Sequence, residues 1–197
     1  MSSSSEMQPP WAGLPPVGPY PFEDTHDLRT GPDLHKSLLP LLPLVGVWRG
    51  RGQGGYPTIE DFHYGQEIRF SHDGRPFLYY ESRAWLLQDD DTPIRPSHRE
   101  VGWWRAVQRP DGKAADEVEV LLSSPTGIME LYLGRIGNLK VELATDAVVR
   151  TVTAKEVTAG QRLYGIVDGA LLYAQEMAAV GQPLQPHLSA KLNRVAG

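Results

Sequence analysis

Between Leu44 and Ile59 the chain reads LVGVWRGRGQGGYPTI, with glycines at Gly46, Gly50, Gly52, Gly54 and Gly55. An apolar start gives way to glycine at nearly every second position. Glycine lacks a Cβ, so such a stretch lets another backbone, a bulky ring or a ligand come close, and it allows a sharp bend. Gly50 to Gly55 formally satisfies G-x-G-x-x-G. That pattern binds a dinucleotide only where a helix follows and offers its N-terminus to the phosphate. Here Tyr56-Pro57-Thr58-Ile59 follows, and Pro57 biases Tyr56 toward extended geometry. The stretch therefore reads as the bent first strand of a β-barrel, with glycines at the corner.

The 197 residues suffice for one domain with a sizeable core. A net charge of −5 without any basic block gives no footprint for nucleic acid. The absence of cysteine excludes disulfides, thiolate metal sites and cysteine nucleophiles. No run approaches the roughly 20 apolar residues of a membrane helix. The N-terminus lacks the basic and apolar regions of a secretory signal, so a cytoplasmic location is the default expectation.

Residues 1–36 are expected to form a flexible leader, because their proline, serine and glycine content cannot support a packed core. Asp33 to Leu39 suggests a short capped helix stopped by Pro40, placed to close one end of a barrel. From there the chain reads as strands. Phe62, Tyr64, Ile68 and Phe70 alternate with polar residues, and Asp73-Gly74 and Asp168-Gly169 are strong hairpin signals. Gln88 to Ser97 reads as a surface loop, Pro110-Asp111-Gly112 as a turn, and Val148 to Thr158 as a β-branched strand. About ten strands at this spacing imply an all-β fold: an antiparallel up-and-down barrel over residues 37–197, able to enclose one small ligand.

Hydrolase and metalloprotease signatures are missing: there is no G-x-S-x-G, no H-E-x-x-H and no H-x-H. Six histidines remain, His26, His35, His63, His72, His98 and His187. Taken singly, each reads as an ordinary surface residue. His187 differs in context, LQPHLSAKL, with a proline before it and small residues just beyond. Strict alternation groups it with Ser189 and Lys191 on the polar side. An inward His187 needs a bend near Pro186 or a site at the open end of the barrel.

Gly46, Trp48, Gly50 and Gly52 form G-x-W-x-G-x-G, extended by G-G-Y-P-T-I; together with EIRFSH at 67–72 and Pro183 to Leu192, the chain resembles the nitrobindin family from about residue 38 to its end. The resemblance implies a ten-stranded barrel similar to the fatty-acid-binding proteins, holding one ferric haem b. It implies His187 as the axial ligand of the iron and the catalytic centre. It also implies His98 on the distal side, Thr58 and Met177 lining the pocket, and Lys155 beside a haem propionate. The motif glycines and Trp48 would shape the barrel. Family members bind nitric oxide and convert peroxynitrite to nitrate, so both small molecules are expected ligands, with no nucleic acid or membrane partner. A homodimer is one arrangement the sequence leaves open.

A second class of function competes: a haem-free barrel carrying a fatty acid or other apolar molecule. Such a carrier needs no His187 and more often meets its carboxylate with arginine, for which Arg83, Arg105 and Arg162 are candidates.

Overall fold

In the computed structural model, which describes residues 8–108 and 114–197, the alternating segments form ten antiparallel strands. They are β1 (Gly46–Tyr56), β2 (Ile59–Ser71), β3 (Phe77–Leu87), β4 (Pro93–Gln108), β5 (Ala114–Ser124), β6 (Ile128–Gly137), β7 (Lys140–Arg150), β8 (Val157–Val167), β9 (Ala170–Ala179) and β10 (Gln185–Ala196). Each pairs with its sequence neighbour, and β10 returns to β1 to close the barrel. Closure leaves no sheet edge open to another chain. The expected up-and-down barrel is therefore present. The turn at 110–112 lies outside the described residues.

The hairpin between β8 and β9 follows its sequence signal closely. Asp168 and Gly169 both have positive φ (51° and 76°), as a tight two-residue turn requires. The glycine stretch behaves as a strand whose neighbours press against it. A Cβ at Gly50 would overlap the Lys191 carbonyl oxygen of β10, and one at Gly52 would overlap the Tyr64 ring of β2. No helix follows the stretch; β1 turns at Pro57-Thr58 into β2, which removes the dinucleotide reading.

Three expectations about where helix and strands begin and end need correction. The helix does not stop at Pro40: a 3-10 helix runs from Lys36 to Leu44 through Pro40 and Pro43. Its buried Leu38, Leu41 and Leu44 recur every third residue, the period of that helix, and the proline φ fits so short a segment. The loop at Gln88–Ser97 is shorter than expected, because β4 begins at Pro93; Asp90 closes the turn by accepting a hydrogen bond from Thr92 N–H at 3.0 Å. Val148–Thr158 is not one strand. β7 ends at Arg150, the chain turns, and β8 begins at Val157. The pairing of β7 with β8, from Lys140↔Gly165 to Ala144↔Gln161, forces the reversal there and overrides β propensity.

The interior is layered. At the end covered by the 3-10 helix, Leu38, Leu41, Trp48, Ile68, Phe70, Leu78, Trp104, Tyr164 and Leu192 form the main core. Trp48 donates its indole N–H to the Leu44 carbonyl at 2.8 Å and carries the Arg194 guanidinium on its face at 4.1 Å. A polar layer crosses the middle. A small second cluster, Tyr56, Val157 and Ala179 with Ile128, Val148 and Met177 against it, lies at the opposite mouth.

Residues 8–24 are exposed, and then the chain meets the barrel. Thr25 and His72 exchange backbone hydrogen bonds of 2.8 Å in both directions, and Asp24 pairs with Arg69 at 3.1 Å. This strap covers His72, which is 0% exposed with neither ring nitrogen hydrogen-bonded. The expectation of a surface histidine fails at this position. Burial lowers its pKa, against the opposing pull of Asp73 and Asp24.

Candidate functional site

In an up-and-down barrel the ends of odd strands and the starts of even strands share one mouth. Thr58 follows β1, His98 lies early in β4, Lys155 precedes β8, Met177 is near the end of β9, and His187 is near the start of β10. All five sequence-derived candidates therefore lie at the mouth opposite the 3-10 helix. Their settings differ. Thr58 and Lys155 are exposed in turns, and His98 is exposed at the rim. Met177 packs against Tyr56, Val157 and Ala179. His187 is partly buried.

A register shift turns His187. Pro186 pairs with Glu176, and Leu188 pairs with Gln175, so His187 is the extra residue of a bulge. Ser189 and Lys191 stay exposed on the outer face, as alternation requires. β1 is irregular at the facing position, between Gly54 and Tyr56. There the Gly55 carbonyl oxygen lies 3.0 Å from Nδ1 of His187. Nδ1 takes the proton and donates it, which leaves Nε2 as a lone-pair donor. Burial pushes the His187 pKa down; the Gly55 hydrogen bond opposes this, and the nearby Arg162 guanidinium adds to it. The imidazole is accordingly neutral at neutral pH, the form a metal needs.

Below the mouth lies the polar layer. Arg162 of β8, with a side chain only 2% exposed, reaches Glu100 of β4 through two hydrogen bonds of 2.6 and 3.0 Å. It also reaches Glu130 of β6 at 3.0 Å and donates Nε–H to the Tyr132 hydroxyl at 2.9 Å. Tyr80 donates to Glu100 at 2.9 Å, and His98 Nε2 stands 3.6 Å from the same carboxylate. Burial works against ionised Glu100, but Arg162 and His98 outweigh it and hold the carboxyl well below its usual range. Sequence reading missed Glu100, Glu130, Tyr80 and Tyr132. A usable signal was present: Glu100 shares its strand phase with Trp104, and Arg162 shares its phase with Tyr164.

A groove lies elsewhere, on the outer wall, lined by Leu163, Leu172, Ala174, Ser189 and Lys191 among others. It is broad and open, and its exposed lining leaves a bound molecule in contact with water. The mouth, with its bulged histidine and apolar lining, is the better site.

These donors suit a haem. One neutral imidazole offers Nε2, its other nitrogen is fixed by a carbonyl, and the lining of Tyr56, Val157, Met177, Ile128 and Val148 is apolar enough for a flat macrocycle.

Comparison with known proteins agrees. Residues 37–194 match the family described as THAP4-like, heme-binding beta-barrel domain. The chain is 68% identical, over the whole of both chains, to a protein of Salinispora arenicola named peroxynitrite isomerase. It is 48% identical to a protein of Saccharopolyspora erythraea named ferric nitrobindin-like protein, covering 96% of this chain and 85% of that one. The crystal structure of Rv2717c from M. tuberculosis superposes with a TM-score of 0.71 at 40% identity, covering 82% of this chain and 99% of that one. The chain belongs to the nitrobindin family of haem-binding β-barrels.

Proposed function

We propose that the protein is a peroxynitrite isomerase that holds one ferric haem b through His187 and also binds nitric oxide. The observation that carries this reading is the bulge at His187, which takes the residue out of the outward phase while Gly55 occupies its Nδ1. A structural barrel needs neither feature. The names of the relatives support the same reaction.

The bound haem would supply ferric iron as a Lewis acid and binding point for the anion. The chain supplies the rest. His187 would hold and orient the group through Nε2. Met177 and the apolar cluster around Tyr56 and Val157 would keep water from the bound group. His98 stands at the rim, where an entering anion meets a group tied to the buried Glu100–Arg162 pair. Lys155 is exposed beside the mouth and suits a haem propionate, while Thr58 closes the β1–β2 turn at the same rim. The setting fits a protein working on small anions.

The carrier reading loses its anchors. Arg162 is the one interior arginine of the three candidates, and Glu100 and Glu130 already take its charge. Arg83 and Arg105 are exposed and pair with Glu67 and Glu119.

The test is rapid mixing of haem-loaded and haem-free protein with peroxynitrite. Faster decay with more nitrate and less nitrite is expected only for the loaded form. Equal decay and equal product ratios in both forms would overturn the proposal.

A further inference from the structure

One hydrogen bond does not fix a ring. The Gly55 carbonyl restrains Nδ1 of His187 but leaves the imidazole free to swing about that contact. A second restraint comes from Tyr56, the last residue of β1, which is 7% exposed. Its ring stands edge-on to the imidazole, with centroids 5.5 Å apart and planes at 79°. Such a T-shaped pair is a favoured arrangement of the two rings and so restrains the tilt of the imidazole.

The Tyr56 hydroxyl is anchored in turn. It lies 3.1 Å from the Met177 carbonyl and 3.3 Å from the Ala179 carbonyl, either of which accepts its proton, and it accepts the Ala179 N–H at 2.9 Å. Met177 and Ala179 belong to β9, and β10 lies between β9 and β1. One side chain thus bridges the two strands that flank the bulged one. The bridge stands where it is needed. The β1–β10 ladder ends at Gly54↔Leu188, one residue short of His187.

We propose that Tyr56 is a positioning residue for the iron-binding histidine: it ties the end of β9 to the end of β1 across the bulge, and its ring edge sets the plane of the His187 imidazole. The proposal rests on the reading of His187 as the axial ligand. Orientation of a ligating histidine by its surroundings tunes both metal affinity and the metal–nitrogen bond. The G-x-W-x-G-x-G run acts differently. Its glycines seat the backbone of β10 and the rings of β2, whereas Gly55-Tyr56 addresses the histidine itself.

Two variants of the haem-loaded protein test this. Tyr56→Phe keeps the ring and removes the hydroxyl; Tyr56→Leu removes the ring as well. The readouts are the rate of haem transfer to excess apomyoglobin and the iron–histidine stretch of the ferrous form by resonance Raman. Tyr56→Leu should release haem on the order of tenfold faster, with a shifted and broadened stretch. Tyr56→Phe should fall between it and the wild type in rate. Wild-type rate and stretch in Tyr56→Leu would overturn the proposal. So would a lowered melting temperature of the haem-free protein with an unmoved stretch, because that marks a merely structural role. If Tyr56→Leu does not fold, Tyr56→Phe decides alone: faster release supports the clamp, and the wild-type rate overturns it. His187→Ala run in parallel separates the two claims. A wild-type stretch in His187→Ala means that the ligand assignment fails. Its loss there, with both Tyr56 variants unchanged, means that only the clamp fails.

Discussion

Arg162 and Glu100 meet inside the barrel as a bidentate pair, on strands β8 and β4, with side chains 2% and 6% exposed. Breaking such a pair from one side leaves a buried charge without its partner, which costs about 3–5 kcal/mol. Arg162→Met should therefore destabilise the haem-free protein by that order, and adding Glu100→Gln with Glu130→Gln should restore part of the loss. Urea unfolding of the single and triple variants checks this.

The same pair sets an acid limit. The folded-state pKa of Glu100 lies below its unfolded value, so the folded protein keeps this carboxylate ionised where the unfolded chain would protonate it. Its contribution is complete above the unfolded pKa of about 4.3 and fades as pH falls toward the folded value. Stability should be flat in this contribution from pH 7 to about 5 and decline below that, more steeply in the wild type than in the triple variant.

The strap over His72 makes a prediction about the N-terminus. Removing residues 1–23 leaves Thr25 and its two hydrogen bonds to His72 in place, and the melting temperature should hold. Removing residues 1–30 uncovers His72. It should lower stability by roughly 1–3 kcal/mol, the scale of two lost backbone hydrogen bonds. Uncovering His72 also relieves the burial that keeps its pKa low. Its NMR titration midpoint should therefore rise toward the ordinary histidine range.

Much of this was legible beforehand because β structure writes itself locally. Asp168-Gly169 and the glycine run each carry their own steric reason, and Pro186 marked the place where His187 had to leave its outward phase. The misses share one cause. Glu100 and Glu130 lie on two strands that are not neighbours in sequence, their partner Arg162 lies on a third, and an isolated carboxylate in a strand reads as solvent-facing. His72 was misread because the Asp73-Gly74 signal placed it at a turn, whereas it continues the buried phase of Ile68 and Phe70 and its backbone pairs with Thr25, nearly fifty residues away. Val148–Thr158 failed because pairing with distant strands, not β-branching, decides where a strand ends.

His98 gives a prediction that separates holding from access. Its side chain is 43% exposed and touches the polar layer only through Glu100 at 3.6 Å. His98→Leu should keep haem with a near wild-type absorption spectrum while changing nitric oxide and anion binding rates several-fold, read by stopped flow. Loss of haem as complete as in a His187 variant would show that the two faces of the site are assigned the wrong way round.

The central claim is that His187 ligates the iron. Its most direct measurement is a haem titration of wild type and His187→Ala, followed in the Soret region with apparent affinity taken from the same curves. The alanine variant should fold as the wild type does, because His187 lies at the mouth and outside the main core. It should bind haem at least tenfold more weakly, the lower end of what loss of support around a bound metal costs, and with a displaced Soret band. Residual binding through the apolar lining is compatible with this outcome. A wild-type Soret position together with wild-type affinity in His187→Ala would contradict the assignment and return the barrel to the carriers of apolar ligands.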